Sequence, residues 1–136
     1  MQAHLQNIAE KCLEGAETNS MAFPEIVKTL IEAGFESYAI DFRARTATYY
    51  LPDGNCIQLA MHPNSSKISS EFNVGAVQAA IKEAQQLIKG YTYKHFCEKI
   101  MAAGCVGYIV SFIGKRALYL SRSAETHTEL FPPLKP

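Results

Sequence analysis

The feature that most constrains this chain is an internal repeat. Laying the stretch from Tyr93 to Arg122, YKHFCEKIMAAGCVGYIVSFIGKRALYLSR, over the residues 70 positions earlier superposes Ala33-Gly34 on Ala103-Gly104. The same shift places Tyr38 on Tyr108, Phe42 on Phe112, Ala47 on Ala117 and Tyr49 on Tyr119, with Arg45 over Lys115. From Phe23 to Leu51 it gives six identities over 29 positions, where ordinary residue usage gives roughly two by chance. Apolar stripe, glycine stop and turn agree as well as letters do, so the reading is a duplication.

Each copy begins with helices. From Gln2 to Glu14, Leu5, Ile8, Ala9, Cys12 and Leu13 follow the spacing of one helical face, and Gly15 suits the residue after its end. A second helix starts near Phe23, where Pro24 fits a first turn that has no use for its missing N–H. Ile26, Val27, Leu30 and Ile31 form its expected buried stripe, and Gly34 stops it. In the second copy Asn73 can cap a helix running to about Lys89, with Val74, Val77, Ile81, Ala84 and Ile88 inward and Gly90 at its end. The fourth helix carries Phe96, Cys97, Ile100 and Met101 in the stripe positions of the second, and Gly104 stops it.

Strands follow. ESYAIDF, TATYYL and CIQLAM are short and rich in β-branched and aromatic residues, with PDGN as the turn between the last two. VGYIVSF, RALYLSR and THTELF repeat the series, and Pro133 falls over Pro63. The unit is α-α-β-β-β written twice, and each copy has one apolar sheet face and two amphipathic helices. Two such units can share one core about an approximate two-fold axis. The expected fold is α+β, an antiparallel sheet with helices packed on one face. The 136 residues suit a single domain, 1–136, with halves of about 1–62 and 73–131 joined by the polar and mobile loop 62–72.

Composition excludes several classes. Lys plus Arg and Asp plus Glu both count 13, so no net field favours nucleic acid or an anionic membrane surface. The opening MQAHLQNIAEKCLEG has neither the basic start nor the apolar run of a secretory signal, and no membrane-length apolar run occurs. The expectation is a soluble, cytoplasmic protein without a membrane segment, whose cysteines at 12, 56, 97 and 105 stay reduced.

Few residues invite chemistry. His95 and Cys97 are two apart on a helix, hence pointing about 200° apart, and should not meet as a nucleophile pair. Cys97 stands where Val27 stands and reads as core. His4, His62, His95 and His127 have no metal-ligand spacing, so no metal or other cofactor is expected. The signatures GxGxxG, GxxxxGK and GxSxG are absent. Arg43, Arg45, Lys115, Arg116 and Arg122 gather near corresponding turns among many tyrosines, a pattern that can hold phosphates and stack bases. The tyrosines also fit strand propensity and core edges, and the balanced charge argues against a nucleic-acid surface.

The most functional-looking cluster is Arg122, Glu125, His127 and Glu129. On a strand, His127 and Glu129 share one face, where a carboxylate can orient or charge an imidazole for acid–base work. The same pair is also common on a solvated edge strand. In the first copy these two positions hold Ile57 and Leu59.

FPEIVKTLIEAGFESYAIDF, TYYLPDG, IMAAGCVGY and the H-x-E-x-FP ending at His127, Glu129, Phe131 and Pro132 resemble the YdfO-like family. These are prophage-associated bacterial domains of unknown function, sometimes labelled phage envelope protein. The resemblance covers nearly the whole chain after the first helix and implies a small α+β fold of bacterial or phage origin, with no established catalytic residues. Where the family tends to have glycines before the arginine and the glutamate of the ending, this chain has Ser121 and Ala124, which argues against a tight turn there.

The leading functional expectation is a non-enzymatic binding or interaction module that takes a small molecule or protein partner on a shared sheet face or in the groove between its halves, with a homodimer among the open arrangements. The alternative is a small enzyme using His127 with Glu129 or Glu125, helped by Arg122.

Overall fold

The computed structural model describes residues 2–64, 66–86 and 90–131. The elements run α1 (Gln2–Glu17), α2 (Phe23–Ala33), β1 (Ser37–Asp41), β2 (Thr46–Tyr50), β3 (Cys56–Ala60), α3 (Val74–Gln86), α4 (Tyr93–Ala102), β4 (Cys105–Ser111), β5 (Arg116–Ser121) and β6 (Thr126–Leu130). The strands form one antiparallel sheet in the order β3-β2-β1-β4-β5-β6. This is the α+β architecture that the repeat implies.

The ladders obey the repeat residue by residue. Tyr38 pairs with Tyr49 on β1 and β2, and Tyr108 with Tyr119 on β4 and β5. Tyr49 pairs with Ile57, and Tyr119 with His127. At the seam, β1 meets β4 with Ser37 opposite Ser111, Ala39 opposite Ile109 and Asp41 opposite Gly107. Exchanging the halves by the shift of 70 returns this register onto itself, so a pseudo-two-fold axis passes through the pair Ala39 and Ile109. Backbone conformations repeat too. Gly34 and Gly104 both have φ of 103°, and Arg45 and Lys115, at equivalent hairpin turns, have φ of 60° and 52°.

Strand alternation sorts residues between the two faces. Tyr38, Ile40, Ala47, Tyr49, Ile57, Tyr108, Val110, Ala117 and Tyr119 are buried with the helices in one core. Tyr50 and Ile109, on the other face, are exposed. The helices therefore cover one side of the sheet.

Some expectations need correction. Gly15 does not end α1, which continues to Glu17. A Cβ at Gly15 would stand 2.5 Å from the Met21 sulfur, so the glycine permits close packing of the returning chain. Asn19 takes the left-handed conformation beyond the helix, with φ of 61°. The stripe of α2 is only half buried: Ile26 and Leu30 are buried and Val27 is intermediate, while Ile31 is 49% exposed. The connection 62–72 crosses the surface but is tied down, Ser69 N–H donating to the Met101 carbonyl at 3.0 Å and Arg122 Nη1 to the Ile68 carbonyl at 3.0 Å. Ile88 and Lys89, expected on α3, and Pro132 and Pro133 lie outside the described residues. No helix among the described residues is long and apolar enough to cross a membrane.

Candidate functional site

Four tyrosines occupy the centre of the covered face. Tyr38 and Tyr49 stack with ring centroids 5.6 Å apart, Tyr108 and Tyr119 lie 5.3 Å apart, and Tyr38 meets Tyr108 edge-on at 6.4 Å across the seam. The strand period puts all four rings on one side, and the repeat makes the two pairs equivalent. They form a continuous aromatic floor over the four central strands.

The helices do not fill the space above that floor. A cavity of about 1370 Å³ lies over it, walled by Cys12, Leu13 and Ala16 of α1, by α2 from Phe23 to Glu32, by Ile81, Ala84 and Gln85 of α3, and by Tyr91, Tyr93 and Phe96. Glu129, Leu130 and Phe131 complete it at the β6 edge.

Unequal helix packing opens this space. Across the halves α1 rests on α4, and the Tyr93 N–H donates to Asn19 Oδ1 at 3.0 Å. Among the described residues the pseudo-equivalent pair, α3 and α2, meets less closely. α4 is drawn down onto its sheet: the Tyr93 and Tyr108 hydroxyls hydrogen-bond at 2.7 Å, and Phe96 packs edge-on against Tyr108 at 6.2 Å. In the other half Phe23, the counterpart of Tyr93, turns to Phe131 at 6.0 Å. Val27 and Ile31 of α2 consequently face the cavity, whereas their counterparts Cys97 and Met101 are buried.

Polar groups on the wall are sparse. Among the described residues the hydroxyls of Tyr38, Tyr49 and Tyr119 make no hydrogen bond, and none is sealed off unpaired, so each reaches accessible space. Burial raises the pKa of all four floor tyrosines well above the ordinary range, and they stay neutral donors. Burial pushes the Cys12 thiol up to about 11, and Cys97 and Cys105 up to about 12. None of these supplies a thiolate near neutrality.

The sequence candidates divide. His127 and Glu129 come together on the helix-facing side of β6, Nε2 to Oε1 at 3.1 Å, with side chains 15% and 34% exposed. Glu129 lines the cavity. Arg122 is engaged elsewhere, at the Ile68 carbonyl, and Glu125 accepts from Ser123 Oγ at 2.6 Å. His95 is exposed and Cys97 buried, so the helix carries them apart. Among the described residues no group of histidine, cysteine or carboxylate side chains could hold a metal ion. Sequence reasoning missed the floor itself. Its signal was present, because Tyr38 with Tyr108 and Tyr49 with Tyr119 are identities of the repeat on one strand face.

No curated protein matches the chain. Residues 11–129 match a family model, covering all the strands but for the last residue of β6 and all the helices but for the start of α1, and the chain belongs to the family described as "Protein of unknown function (DUF1398)".

Proposed function

We propose that this protein is a binding module for a small, largely apolar molecule, taken up in the tyrosine-floored cavity between its halves. The carrying observation is the cavity of about 1370 Å³ above Tyr38, Tyr49, Tyr108 and Tyr119. A cavity with a mostly apolar wall, a few convergent hydroxyls and a few carboxylates has the usual composition of a ligand site. Val27 and Ile31 leave apolar surface facing that space, and a ligand that covered them would gain roughly 25 cal/mol for each Å² removed from water. The acid–base alternative centres on His127 and Glu129. Binding is favoured over it because Arg122, the third member of that alternative, is engaged away from the pair at the Ile68 carbonyl. On the sequence stretches Ile100 to Tyr108 and His127 to Pro132 we further propose that the chain is one of the YdfO-like, prophage-associated bacterial domains, acting in the cytoplasm.

Nile red, a neutral apolar fluorophore, tests this reading. Saturable binding by the full chain is expected, lost in Ala84→Trp and in Val27→Trp, which fill the cavity from opposite walls. Circular dichroism identifies the variant that keeps its fold. Non-saturable binding by the natural sequence, or unchanged binding in a folded filled variant, would overturn it.

A further inference from the structure

Resting on that binding role, we infer that the ligand is an organic cation with an apolar, ring-bearing body, its charge against Glu129 and its body over the tyrosine rings. Among the described residues the charged side chains on the cavity wall are Glu25, Lys28, Glu32 and Glu129. The first three are exposed residues of α2, at the rim, where water and salt screen them. Glu129 differs in standing on the sheet, and its charge acts on the Tyr119 hydroxyl. Its counterpart in the first half is Leu59; the carboxylate whose charge acts on Tyr49 at that end, Glu17, does not line the cavity and accepts from the His62 N–H at 2.7 Å.

A cation beside Glu129 gains attraction from a partly desolvated carboxylate and from the electron-rich faces of tyrosine rings. An anion meets the same carboxylate, and among the described wall residues its only cation is Lys28 at the rim. The hydroxyls of Tyr38, Tyr49 and Tyr119, without a partner among the described residues, remain to orient acceptor atoms on the ligand body. His127 sharpens the site: its Nε2 stands 3.1 Å from Glu129 Oε1 and holds the carboxylate in place.

Three probes titrated into the full chain at about pH 8, where an ordinary imidazole is neutral, decide the matter: cationic rhodamine 6G, neutral Nile red and anionic anilinonaphthalene sulfonate. Rhodamine 6G is expected to bind the natural sequence roughly tenfold more tightly than the anion, the size of one partly desolvated charge contact. Glu129→Gln should lower the ratio of rhodamine 6G to Nile red affinity by a similar factor. Equal binding of cation and anion, or an unchanged ratio in the variant, overturns the cation and leaves the cavity role standing. Failure of Nile red to bind the natural sequence overturns both. The ranking on the natural sequence holds whether or not the variant folds.

Discussion

The two halves share a backbone plan but not a packing. All three ladder registers repeat under the shift of 70, down to matched left-handed residues at equivalent turns. The helices break that symmetry: α4 is pinned to its sheet by the Tyr93 and Tyr108 hydroxyls and braced by α1, while α2 stands away from its sheet and leaves the cavity beneath. Backbone hydrogen bonding fixes a sheet register to the residue, whereas helix-on-sheet packing follows side-chain volume and can diverge between copies. A duplicated fold thereby acquires a site without losing its frame: one half seals the core and the other keeps it open.

The sharpest contrast lies at the helix stops. Gly34 and Gly104 have the same φ of 103°, but a Cβ at Gly34 meets nothing within 4 Å, while at Gly104 it runs into the Glu71 carbonyl oxygen and the Phe72 backbone. Gly34→Ala should cost only the conformational strain, about 1–2 kcal/mol. Gly104→Ala adds a backbone collision to that strain and should cost roughly 4 kcal/mol. Urea denaturation of the two variants measures the difference, and equal costs would show that the connection 62–72 is not held against α4 as described.

Next in size is the contrast along the helices. Met101 is 3% exposed and its counterpart Ile31 is 49% exposed. Met101→Ala should destabilise by about 3 kcal/mol, and Ile31→Ala by less than about 1. Nile red affinity should respond in the opposite order, falling for Ile31→Ala through lost wall area while the protein stays folded. Equal destabilisation by the two changes would place Ile31 in a sealed core and close the cavity.

These contrasts mark what could be read from the chain. The stripe of α4, the hairpins, the cap at Asn73 and the pairing of His127 with Glu129 were legible, because each depends on spacing along one or two neighbouring strands or turns. Asn73 Oδ1 does accept from the Ala76 N–H at 3.0 Å. The exposure of Ile31 was not legible, because its stripe position equals that of buried Met101 and the difference arises from how closely α2 and α4 pack on their halves of the sheet. Gly15 likewise looks like a terminator until Met21 is seen packed against it. The tyrosine floor was half legible. Its four positions repeat, but strand propensity explains a tyrosine on a sheet equally well, and only the height of the helices above it separates a core from a cavity.

The smallest effect concerns the turns that lead into the edge strands. In the first half Leu51 N–H donates to the Asn55 carbonyl at 2.9 Å and Gly54 N–H to that of Leu51 at 3.1 Å. In the second, Ser121 N–H donates to Glu125 at 2.9 Å and Ala124 N–H to Ser121 at 3.1 Å, the same two bonds moved by 70 positions. The tight turn thus forms despite Ser121 and Ala124. Gly54 has φ of 92° and Ala124 has φ of 69°, a conformation free to glycine and strained for alanine. Ala124→Gly should relieve that strain, offset in part by the entropy that glycine adds to the unfolded chain. The expected net is a stabilisation of about 0.5–1 kcal/mol, and Gly54→Ala should lose a similar amount. Because Ala124 precedes the strand that carries His127 and Glu129, a relaxed turn also tests how firmly the edge holds that pair: rhodamine 6G affinity should be unchanged if ladder bonds to β5 set the position of Glu129, and should shift if the strained turn does.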